Sequence, residues 1–271
     1  MKLLIACDME GISGVTGWNH VLPDHPEYAR GRRWMTADVN AAVRGAVEAG
    51  VDDIIVTDGH WNGSNILIEE LDEPARLING TPSPLAMVQG VQEGTDAVVF
   101  IGFHAMAGTK NAVLDHTWSS ARVHNMWING VLAGEIAFNT ALCGTFDVPV
   151  VAISGDQSAY AEAAALIPGI HTAQVKKANG RMNAECLGLE AAHRLITETV
   201  KQAALGYKTI KPWIAAPPMT IAIEFFRADM ADYAELLPGA VRKSARVVEY
   251  TAPDMVTANR AFRAMVKLAQ G

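Results

Sequence analysis

Asp8 and Glu10 end the apolar run "KLLIACDMEG" and stand two residues apart. On an extended chain, side chains at that spacing leave the same face. Two carboxylates are therefore aimed at one place, just where a glycine-rich turn begins, and like charges held together call for a neutralising partner. Two further apolar runs end in histidine: "DDIIVTDGH" in His60 and "DAVVFIGFHA" in His104. A third acid, Glu135, sits at the start of a helical pattern in "GVLAGEIAF". Taken singly, each has an ordinary explanation. Asp8 and Glu10 would cap a turn, the histidines would be hydrogen-bonded in a core, and Glu135 would suit the positive end of a helix. Taken together, one shared cation site accounts for all five.

Two imidazoles and three carboxylates suit Zn²⁺, with Mn²⁺ or Co²⁺ as alternatives. One zinc takes three or four protein ligands. Five candidates, one of them a carboxylate able to bridge, predict two ions roughly 3.5–4 Å apart. Asp8 is the natural bridge, with one oxygen for each ion.

The elements that must position these groups alternate. Short apolar runs at "KLLIACD", "DDIIVTDGH", "DAVVFIGFHA" and "VPVVAISGD" read as buried strands. Between and after them come helical patterns. "MTADVNAAVRGAVEAGV" is one, with Thr36 as its N-cap, and "GEIAFNTALCG", "QSAYAEAAALIPG" and "NAECLGLEAAHRLITETVKQAAL" are others. This order predicts an α/β fold with a doubly wound, mostly parallel sheet, whose functional groups gather at the carboxyl ends of the strands. "RVHNMWING" alternates and ends in Asn129-Gly130, which predicts a hairpin. The proline-rich "TIKPWIAAPP" punctuates the chain. A catalytic domain over 1–211 and a small C-terminal α/β subdomain over 212–271, strand-helix-strand-helix, are expected from it.

The chain has 271 residues, half of them hydrophobic, and a net charge of -7. No basic face is available for nucleic acid or an anionic membrane, and no apolar run reaches the roughly 20 residues of a membrane helix. Three scattered cysteines form no disulfide framework, so a reducing cytoplasm is expected.

"DMEGISG", "DGHWNGSN", "GFHAMAGT", "AVLDHTWS" and "NGVLAGEIAFNTALCG" occur in an order and spacing that resemble the bacterial zinc-dependent D-aminopeptidase family. "YARGRRWMTADVN", "LIPGIHTAQVKKANGR" and "IEFF" extend the likeness over nearly the whole chain. The resemblance implies a binuclear zinc site on Asp8, Glu10, His60, His104 and Glu135, a catalytic His116, and a ring-stacked homo-oligomer, a decamer. It implies hydrolysis of short peptides with a free N-terminus. Trp61, Asn62 and Gly63 depart from the family pattern beside His60, which keeps another amide open as substrate.

Around this reading stand further candidates. His116 would give the leaving amine its proton, since imidazole exchanges protons nearest neutrality, and Asp115 would orient its ring. Asp58 would meet a substrate amine or hold a turn. Lys176, Lys177 and Arg181 would meet a substrate carboxylate or form an exposed basic loop, and Trp61 and Trp118 would lie near substrate. An aspartyl-phosphate phosphohydrolase, with Asp8 as nucleophile and Thr57 as its hydroxyl, is the rival enzyme reading. It gives His60, His104 and Glu135 no role. A metal- or peptide-binding protein without turnover is the non-enzymatic alternative.

Overall fold

The computed structural model describes residues 1–270. The first part of the chain forms β1 (Lys2–Cys7), α1 (Tyr28–Glu48), β2 (Asp53–Asp58), β3 (Arg76–Ile78) and β4 (Ala97–Ile101). A hairpin of β5 (Val123–Ile128) and β6 (Val131–Leu132) follows, then α2 (Glu135–Thr145), β7 (Val150–Asp156), α3 (Gln157–Leu166), β8 (His171–Gly180), β9 (Asn183–Cys186) and α4 (Leu189–Gly206). The chain ends with β10 (Met219–Phe225), α5 (Ala228–Ala234), β11 (Ala240–Arg242), β12 (Val247–Ala252) and α6 (Met255–Leu268).

Seven strands form one sheet in the order β3-β2-β1-β4-β7-β8-β9. Every neighbour runs parallel except β9, which returns antiparallel on β8. Leu3 to Cys7 of β1 and all of β4 and β7 are buried, as strands covered on both faces must be. The α/β fold with a largely parallel sheet is thus the observed one. The order reverses between β1 and β4. In open α/β sheets that switch point opens a crevice at the carboxyl ends of the strands.

A second sheet, β11-β12-β10-β5-β6, is antiparallel throughout. β10 alternates buried and half-buried residues, so one of its faces meets the core. Its outer edge pairs with the hairpin, Ile221 opposite Ile128. The two sheets therefore do not divide at residue 212. The backbone groups along β10 need partners, and the excursion at 123–132 supplies them. Asn129 and Gly130 turn that hairpin with φ of 49° and 79°, the left-handed pair that a tight turn needs.

Two local expectations are corrected. Thr36 does not cap α1. The helix starts eight residues earlier, and the Thr36 hydroxyl donates to Arg32 O at 2.9 Å while accepting from Leu67 N. Likewise "NAEC" is not helical, because it pairs with β8 as a strand and the helix begins at Leu189. Among the described residues no helix is long and apolar enough to cross a membrane.

Backbone packed on backbone brings the ends of β1 and β4 together. Asp8 N donates to Ile101 O at 2.8 Å and Gly11 N to Gly102 O at 2.7 Å. A Cβ on Gly11 would stand 2.0 Å from Phe103 O. Gly102, at φ +75°, passes so near Asp8 O that a Cβ there would come within 2.3 Å. Overpacking of this kind costs about 1–3 kcal/mol, and each kcal/mol lowers a domain of this size by roughly 2–4 °C. Gly11→Ala is expected to lower the thermal midpoint by about 2–12 °C in calorimetry. An unchanged midpoint would contradict the close approach.

Candidate metal centre

Asp8 follows β1 directly, His60 comes two residues after β2, His104 three after β4, and Glu135 is the first residue of α2. Three parallel strands and one helix start thus deliver four of the groups to the switch point, and the turn after β1 delivers Glu10. All five side chains are buried.

Asp8 divides its carboxylate between two clusters. Its Oδ1 lies 3.1 Å from His60 Nδ1 and its Oδ2 lies 3.3 Å from His104 Nε2. Glu10 Oε2 approaches the same His60 nitrogen at 3.1 Å, and Glu135 Oε1 approaches the same His104 nitrogen at 3.2 Å. The far side of each ring fixes its tautomer. His60 Nε2 is 2.8 Å from Val21 O and His104 Nδ1 is 3.0 Å from Ala105 O. A carbonyl only accepts, so those nitrogens carry the protons. With a cation bound and the rings neutral, each would turn a lone pair towards carboxylate oxygens that are also lone-pair donors. Glu10 Oε2 and His104 Nε2 are buried without a well-formed hydrogen bond. Two imidazole nitrogens and four carboxylate oxygens in this arrangement fit a pair of cations.

The electrostatics agree. Burial raises the Asp8 carboxyl, but hydrogen bonds and charge from His104 and His60 outweigh it and hold it well below the usual range. Burial and the Asp8 anion also raise Glu10, and His60 brings it net downward. Burial opposes protonation of His60 and His104, yet Glu10 with Asp8, and Glu135 with Asp8, push the two imidazoles well above their ordinary value. Every shift expresses one demand, positive charge between the rings and the carboxylates.

His116 joins this group. Its ring stacks on His104 with centroids 4.1 Å apart and planes 14° apart, and the edge of Trp18 closes on it at 5.7 Å. Nδ1 is 2.9 Å from Leu114 O, so Nε2 faces the centre, 3.8 Å from Glu135 Oε1. His104, His116 and Glu135 can also offer ligand atoms within 4.8 Å of one another.

Several expected roles fall elsewhere. The carbonyl of Leu114, not Asp115, orients His116. Asp115 pairs with Arg181 at 2.8 Å and accepts from Gly108 N. Asp58 does not reach substrate, since its carboxylate accepts from Asn65 N, Asn65 Nδ2 and Ile66 N and shapes the loop that presents His60. Thr57 donates to Gln89 O at 2.6 Å, so the rival phosphohydrolase loses its hydroxyl. Lys176 is buried beneath the centre, where burial pushes its ammonium down to about 8, and Lys177 is exposed. Arg181 lies over Trp18 at 5.4 Å. Trp61 is exposed at the cavity, and Trp118 gives its backbone N–H to Glu135 Oε1 at 2.7 Å.

The centre opens into a cavity of about 1020 Å³. Among the described residues its acidic lining is Asp8 and Glu135, and its basic lining is Arg122, Arg260, Arg263 and Lys267. Sequence reasoning missed these cations. The available signal was the spacing of Arg260, Arg263 and Lys267 in "NRAFRAMVK", which sets all three on one side of α6. Neutral carbonyls of Ser83 and Pro84 hold the Arg263 guanidinium, and no acid among the described residues does.

Residues 1–264 match the M55 peptidase family, described as D-aminopeptidase. The chain is 34% identical over 270 residues to D-aminopeptidase from Bacillus subtilis (strain 168), spanning 99% of this chain and 98% of that one. Its fold matches the structure of Zn-dependent D-aminopeptidase DppA from Bacillus subtilis, described as a self-compartmentalizing protease. The TM-score is 0.96 at 34% identity, covering 99% of this chain and 98% of that one. With family, sequence and fold in agreement from end to end, the chain belongs to the M55 family of D-aminopeptidases.

Proposed function

We propose that this chain is a zinc-dependent aminopeptidase that hydrolyses short peptides or amides with an unblocked N-terminus, D-residues among them. Two metal positions share Asp8. Glu10 and His60 complete one and His104 and Glu135 the other, with Mn²⁺ or Co²⁺ as alternative occupants. The observation that carries this reading is the division of the Asp8 carboxylate between two histidines whose opposite nitrogens meet backbone carbonyls. Two zinc ions held there would lower the pKa of a water to about 7 and polarise the scissile carbonyl.

The chain's own groups do the rest. His116 keeps its Nδ1 proton on Leu114 O, so Nε2 is the atom that takes up a proton and delivers it to the leaving amine. Stacking on His104 and the edge of Trp18 hold that nitrogen in place. Asp58 is engaged elsewhere, and the other acids lining the cavity are Asp8 and Glu135. The free α-amine is therefore read as binding at the centre itself. At the mouth, Arg122, Arg260 and Arg263 suit the carboxylate at the other end of a short peptide. An acidic floor and a basic mouth match a zwitterion in one orientation. The description of the relative as self-compartmentalizing supports a homo-oligomer here too, and the decamer is the form that the family resemblance implies. The buried thiols of Cys7 and Cys143 suit a reducing cytoplasm.

His116→Ala is expected to keep the zinc content of the wild type and to lower kcat on D-alanyl substrates by about 10²–10⁴. Retained turnover would remove His116 from the mechanism, and loss of metal would make it a ligand. In a second assay, D-alanyl-D-alanine, its C-terminal amide and their L,L counterparts are compared. The free acid is expected to exceed the amide in kcat/KM and the D series to exceed the L, with the acid-to-amide ratio falling towards one in Arg122→Gln. Equal rates on acid and amide would remove the carboxylate reading. No cleavage of any of the four would remove the peptidase reading.

A further inference from the structure

Lys176 lies on β8, a strand that contributes no group to the centre, yet its ammonium ends under the turn that follows β1. The residue is 2% exposed. Its Nζ donates to Glu10 O at 2.6 Å, Val15 O at 2.7 Å and Ile12 O at 2.9 Å. An ammonium has three protons, and all three are engaged by backbone carbonyls. Carbonyls converging in this way form a small cation site, here filled by the chain's own charge.

A buried anion grips the same turn. Asp38 of α1 is fully buried, accepts from Ser13 N at 2.9 Å and lies 3.2 Å from His193 Nε2. The carbonyls of residues 10, 12 and 15 are thus held by a cation, and the amide of residue 13 by an anion. Both charges are costly to bury. An apolar side chain the length of lysine would fill the space without that cost, but would leave three inward carbonyls unpaired.

The turn carries Glu10, whose own carbonyl is the nearest of the three acceptors. Glu10 Oε2 faces His60. His104 and Glu135 rest on the end of β4 and the start of α2. The clamp therefore bears on one half of the centre.

We propose that Lys176, assisted by Asp38, is a positioning residue for the Glu10–His60 half of the metal centre and sets the affinity of that position separately from the other. The inference rests on the binuclear reading above. Hydrogen-bond partners of a ligand typically alter metal affinity by about 10–100-fold, and here the effect is one-sided.

The test is zinc titration of metal-free protein against a chromophoric chelator, with hydrogen exchange of the same metal-free samples. The wild type is expected to bind two zinc ions. Lys176→Met is expected to weaken one position by about 10–100-fold and leave the other within about threefold. Amides of residues 11–15 should exchange faster while β4 stays protected. Equal weakening of both positions, or no weakening, overturns the inference. Asp38→Asn, which keeps an oxygen for Ser13 N, covers the case in which Lys176→Met does not fold. It should show the same one-sided loss at smaller size, and unchanged affinities there overturn the inference too. A wild type that binds fewer than two zinc ions removes the binuclear reading and this inference with it. Two intact positions in both variants remove this inference alone.

Discussion

Lone pairs that face one another are the constraint around which this molecule is built. As neutral rings, His60 and His104 would each give their one proton to a backbone carbonyl and turn the opposite nitrogen towards carboxylates. Buried without compensation, such an arrangement is repulsive, and the groups would have to take up protons or separate. A cation between them reverses the sign of every contact at once. The surrounding fold holds the donors at that spacing, and a bound cation would supply the attraction. Metal binding and folding stability would consequently be coupled at this site.

The holding is done mainly by backbone. Gly11 and Gly102 let the ends of β1 and β4 approach until a single methyl group would not fit. Lys176 and Asp38 fix the turn between Glu10 and Val15. Carbonyls of Val21, Ala105 and Leu114 set the three imidazole rings. Trp118 stands with φ of 61° while its N–H meets Glu135, the kind of backbone strain that concentrates at functional sites. The large sheet builds the acidic floor of the cavity, and α6 builds much of its basic mouth. The second sheet matters to function because it seats that helix.

How much of this the sequence reveals depends on the range of the interaction concerned. Asp8, Glu10, His60 and His104 were legible because each ends a short apolar run, and the parallel-sheet rule places such ends together. Glu135 followed from its place at a helix start, and His116 from the family resemblance. What stayed hidden was side-chain direction set by distant partners. Lys176 reads as part of a basic loop until β8 is seen to point it inward. Asp58 reads as a substrate acid until Asn65 folds back on it. "NAEC" looks helical by composition, and becomes a strand because β8 offers it an edge. Thr36 has the chemistry of a cap, but Tyr28 to Met35 continue the helix ahead of it. The second sheet does not begin at the subdomain boundary expected at 212, because a hairpin some 90 residues earlier completes β10.

The central claim is that Asp8 stands between two metal ions. Anomalous diffraction from crystals of the zinc-loaded protein, measured on both sides of the zinc edge, tests it directly. Two peaks are predicted, one bounded by Asp8, Glu10 and His60 and the other by Asp8, His104 and Glu135. A single peak shared by all five residues, or none at fully loaded zinc, would contradict the account.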